Sequence, residues 1–176
     1  MSNSNLYRIA GWSAILSVLL TFGLFGAMAT SGRGAAFVAI SIVASVLGAI
    51  VFYALYLFHR AQSAMLSLAM LICGLIGLVL ENIGAGPESP PTMIAIALYG
   101  VAFLILGYLG YSHTQMPHWV AILAYIVGLV SLIGTGANAA LMPNIATPFL
   151  GIQILAWIAW SVGIAILFLS RKLATS

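Results

Sequence analysis

The stretch Ala35–Phe58, AAFVAISIVASVLGAIVFYALYLF, carries no charged side chain over its 24 residues and stops against His59-Arg60. About 20 apolar residues wound as an α-helix cross the hydrocarbon of a bilayer. A helix also pairs its backbone polar groups internally, where lipid offers them no partner. The stretch therefore reads as one membrane crossing, and it sets the scale for the rest of the chain. Upstream, Ile9–Ala29 is a first crossing, joined to it by the turn Thr30–Gly34 with Arg33 between two glycines. Downstream, a third runs from Ser63 to Leu80 and ends at Glu81-Asn82. The longest loop, Ile83–Pro91, follows with its glycines, prolines and Glu88, and Thr92–Ser112 is the fourth span. The link His113–Pro117 leads into a fifth, His118–Ala140. The Pro-containing turn Leu141–Pro148 precedes a sixth, Phe149–Ser170, which Arg171-Lys172 close. The expected fold is all-α, a single domain of six transmembrane helices.

Composition excludes the soluble alternative. The 176 residues are 64% hydrophobic and 4% charged, against roughly a quarter charged in soluble domains. Five basic and two acidic side chains cannot cover a water-exposed surface of this size. The net charge of +3 is spread over span ends and forms no nucleic-acid patch; it suits anionic lipid headgroups. Cys73 is the only cysteine and lies in an apolar run, as a small buried residue. Ala27-Met28-Ala29 has the look of a cleavage site, but the apolar stretch before it exceeds the roughly 7–15 residues of a signal core, so it reads as a retained helix.

Basic residues give the expected orientation. Arg8, Arg60, Arg171 and Lys172 fall on the N-terminal side, whereas Arg33, Glu81 and Glu88 fall on the other. The positive-inside rule then puts both termini in the cytoplasm. Tyr7, Trp12, Tyr56, Tyr108, Tyr111 and Trp119 lie near that cytoplasmic interface; Trp157 and Trp160 lie nearer the middle of the sixth span. The first hairpin also parallels the last. Trp12-Ser13-Ala14-Ile15-Leu16 matches Trp119-Val120-Ala121-Ile122-Leu123, and Phe37–Ala44 matches Phe149–Ala156. Transporters often contain such repeats, although sequences rich in Ala, Ile, Leu and Val match easily.

Polar residues inside the spans are few. Ser13, Ser17 and Thr21 share one helix face, as do Ser41 and Ser45, and Ser131 and Thr135. Close helix packing is the expected role; a hydroxyl-lined path for a substrate is the alternative. Glu81 is the most informative side chain. An acid within a span is costly and points to function, whereas one at the span end sits in the headgroup layer. Asn138 and Gln153 are expected at a similar outer depth, and Gln153, Trp157 and Trp160 form one stripe at i, i+4 and i+7. Depth and helical phase together suggest an outward-facing polar pocket lined by Glu81, Asn138, Gln153, Trp157 and Trp160. His59, His113 and His118 all fall at span ends, and they read as interfacial histidines rather than haem or metal ligands. No catalytic carboxylate pair, phosphate loop or mid-span charge is present, and no cofactor is expected. The paired glycines Gly74/Gly77 and Gly107/Gly110 read as packing sites.

Several short motifs carry a resemblance: Arg8-Ile9-Ala10-Gly11 opening the first span, Leu57-Phe58-His59-Arg60 ending the second, Leu78-Val79-Leu80-Glu81 ending the third, and Pro117-His118-Trp119 starting the fifth. With a tryptophan-containing last span, the layout resembles a group of bacterial six-helix membrane proteins classed as a domain of unknown function. In that group an arginine often precedes the acid of the third span, where Leu78 stands here. The resemblance implies topology and no activity. Tiny loops and abundant small residues lead to the expectation of a non-enzymatic accessory or assembly subunit, meeting lipid and other membrane subunits through its helix surfaces. A small carrier or receptor for a neutral or lipophilic ligand is the alternative.

Overall fold

The structure, a computed structural model, describes residues 3–84, 89–112, 116–140 and 143–170. It contains six helices: α1 (Asn3–Ser31), α2 (Ala35–His59), α3 (Ala64–Ile83), α4 (Pro90–Tyr111), α5 (His118–Ala139) and α6 (Pro143–Ser170). All six contain a segment long and apolar enough to cross a membrane. Local chemistry marks their ends. Gly32, at a φ of 61°, turns the chain between α1 and α2, a conformation that costs glycine nothing. Ser63 caps α3 by accepting the Leu66 N–H at 3.4 Å. Prolines open α4 in its first turn, where no backbone N–H is needed.

The structure departs most from the sequence reading in three helices. α1 extends past both expected limits. α3 continues through Glu81 and Asn82 to Ile83, so both polar residues belong to its last turn. α6 starts at Pro143, six residues before the expected Phe149, with Pro148 inside the helix. A proline this close to the start of a helix removes a single ladder bond, and the helix runs through it.

Each helix packs against its neighbours in sequence, and α1 closes on α6, so the six form a ring. Short links make successive helices antiparallel, which brings the start of α1 and the end of α6 to one end of the ring. That end is tightly packed. Tyr7 of α1 stacks on Phe168 of α6 at 5.2 Å, and Phe58 of α2 meets both rings edge-on at about 6 Å. Leu55, Met70, Leu106 and Ile164 are fully buried in the core beside this plug. His59 belongs to the plug as well. It is fully buried at the last position of α2, with Nδ1 3.4 Å from Gln62 Oε1. His118 is exposed and stacks on Tyr111, and His113 lies outside the described residues.

The other end is loose. Among the described residues from 19 to 50, spanning the far halves of α1 and α2, no side chain is buried. The outside of the ring is apolar all round, with Phe22, Val46, Val79, Leu155 and Ile166 each more than half exposed. Water does not tolerate such a surface; hydrocarbon does.

Candidate ligand-binding cavity

The loose half of the ring holds an open-mouthed cavity of about 310 Å³, lined by residues from all six helices. Along α1 the lining runs from Ala14 to Leu24, and ten residues of helix measure about 15 Å. Its side chains fall into layers. Thr21, Ser41, Glu81 and Gln153 stand 17 or 18 residues from the closed-end limits of their helices (Asn3, His59, Ala64 and Ser170), so they share a level about 26 Å up. One turn deeper come Ser17, Ser45, Tyr99 and Trp157, and deeper again Phe52, Phe103 and Trp160. The polar end of the cavity is therefore the loose end, and the aromatic end abuts the packed core.

Glu81 anchors the polar layer. Its Oε2 accepts the Tyr99 hydroxyl at 2.7 Å, a bond from α4 to α3. Next to it, Asn82 ties α3 to α2: its Nδ2 donates to Ser45 Oγ at 2.6 Å and to the Leu78 carbonyl at 2.8 Å, while Ser41 Oγ donates to its Oδ1 at 2.9 Å. Ser17 and Thr21 each donate to their own helix backbone at 2.9 Å, leaving oxygen lone pairs as acceptors. Arg33 stands at the same end and takes no part in an ion pair with Glu81. Its Nη1 donates to the Gly84 carbonyl, and its guanidinium lies 4.9 Å from the Phe37 ring centre.

The aromatic wall is continuous. Tyr99 and Phe52 lie parallel at 6.5 Å, Phe52 meets Phe103 at 6.3 Å, and Phe103 meets Trp160 edge-on at 4.7 Å. Two glycines seat it. A Cβ on Gly74 would fall 2.7 Å from the Phe52 ring, and one on Gly77 would fall 2.7 Å from the Tyr99 ring. α3 thus presents bare backbone where the two rings pass.

Of the residues the sequence assigns to a pocket, Glu81, Gln153, Trp157 and Trp160 line the cavity. Asn138 does not. It shares a face of α5 with the lining residue Val127, but three turns separate them, about 16 Å along the helix. The hydroxyl stripes divide. Ser17, Thr21, Ser41 and Ser45 face the cavity, whereas Ser13 and Ser131 are buried in helix packing. Tyr99 and Asn82 were not singled out from sequence. A tyrosine in the interior of a span, away from either interface, was the signal for the first.

No protein-family profile, curated protein or solved structure matches the chain. What fold and site define together is a class: a multi-pass helical ring with a half-polar, half-aromatic internal cavity. No group of three or more potential metal ligands occurs among the described residues.

Proposed function

We propose that this chain is a receptor or carrier that binds a small lipophilic molecule inside its helical ring, in a bacterial inner membrane, with the packed end toward the cytoplasm. One observation carries the reading: the axis of the bundle holds a cavity of about 310 Å³ with polar groups at one end and aromatic rings at the other. Ligand sites typically run from about 300 to 1,000 Å³ and combine apolar walls with a few placed polar groups. Arg8 and Arg60 at the packed end and Arg33 at the loose end support the orientation. Among the described residues, the lining holds no histidine, cysteine or second carboxylate to pair with Glu81, which favours binding over catalysis. The accessory-subunit reading rests on short loops, abundant small residues and a lipid-facing surface, without a comparable site.

A thermal-shift screen of the purified protein against lipophilic compounds tests the proposal. Hits on the wild type are expected to vanish in Ala44→Trp, which fills the cavity from α2, and to weaken in Trp157→Ala. An unchanged set of hits in both variants would remove the cavity as the binding site.

A further inference from the structure

We infer that the molecule the cavity takes is an organic cation, held with its charged head against Glu81 and its apolar body among the rings below. The inference rests on the binding role proposed above and goes beyond it by fixing the sign of the ligand's charge.

Three observations carry it. Among the described residues that line the cavity, Glu81 alone is charged. That carboxylate has no ion pair among the described residues: Oε2 accepts one hydroxyl, and the basic residue at its end of the ring, Arg33, is engaged by Gly84 and Phe37. An acid near a membrane interior is costly until something neutralises it; Arg33 acts on Glu81 only across space, with no contact ion pair between them, so a bonded counter-charge is left for a ligand to supply. Finally, five aromatic side chains, Tyr99, Trp157, Phe52, Phe103 and Trp160, line the cavity beside and below Glu81. Aromatic faces attract cations, most strongly where water is excluded, and cages of them are a known way of holding quaternary ammonium groups. A neutral lipophile would use the rings and leave the acid unserved. An anion would be opposed by it.

The test compares two probes of one shape, benzyltrimethylammonium and its carbon isostere neopentylbenzene. Binding of tritiated benzyltrimethylammonium is measured on the protein in nanodiscs, with empty nanodiscs as the blank and neopentylbenzene as competitor. Saturable binding is expected, with the neutral isostere weaker by about tenfold or more. Glu81→Gln is expected to erase that preference, and Glu81→Asp, which keeps the charge, to retain most of it. Should Glu81→Gln fail to fold, the comparison of the two probes on the wild type and on Glu81→Asp still decides the matter. Equal competition by neopentylbenzene, or undiminished cation binding in Glu81→Gln, overturns the cation while leaving a lipophile-binding cavity in place. Absence of saturable benzyltrimethylammonium binding overturns the cation, and thermal-shift hits that are the same in the wild type, Ala44→Trp and Trp157→Ala overturn the lipophile-binding cavity as well.

Discussion

Glu81 and Asn82 are adjacent in sequence and do different work. Glu81 reaches α4 through the Tyr99 hydroxyl, and Asn82 reaches α2 through Ser41 and Ser45. Tyr99→Phe is expected to cost about 1 kcal/mol, because the ring keeps its seat on Gly77 while the carboxylate loses its donor. Asn82→Ala removes two interhelical bonds and is expected to cost about 1–2 kcal/mol, read as a lower denaturation midpoint in mild detergent. At this scale much of the site was legible beforehand. Glu81, Gln153, Trp157 and Trp160 stand out because polar and amphipathic side chains are rare in such spans. Asn138 misled, since helical phase fixes a face and says nothing of how far along it the cavity reaches. Asn82 was noted only as the neighbour of Glu81; nothing in the sequence shows that two serines, 37 and 41 positions earlier, turn toward it.

Hydropathy fixes the number and approximate bounds of the helices, because each must carry its own length of apolar surface through lipid. It fails at Pro148, where local chemistry suggests a break and the helix continues. It also cannot show which glycines touch. Gly100 and Gly128 mark the crossing of α4 and α5, where a Cβ on Gly128 would lie 2.8 Å from the Gly100 carbonyl oxygen. Backbone cannot yield as a flexible side chain does, so Gly128→Ala is expected to force the two helices apart at a cost of about 1–3 kcal/mol. A fall in thermal midpoint measures it. Gly136→Ala serves as the control, since a Cβ there meets nothing within 4 Å, and it should be neutral or mildly stabilising.

The molecule as a whole is a ring packed at one end and hollow at the other. Tyr7, Phe58 and Phe168 plug the packed end, and small hydroxyl residues on α1 and α2 leave space at the other. The sequence shows the small residues; the ring order that turns them inward together is a property of the assembled helices. Cysteine accessibility in sealed vesicles of known orientation tests the hollow most directly, using single cysteines at neighbouring positions of α2 in a Cys73→Ala background. Ala44 lines the cavity, while Val43 at nearly the same depth faces outward and is half exposed on the ring's apolar surface. Ala44→Cys should react with a membrane-impermeant thiol reagent added on the side opposite the N-terminus, and Val43→Cys should not. Equal labelling of the two, or labelling of Val43→Cys alone, would contradict a cavity within the ring.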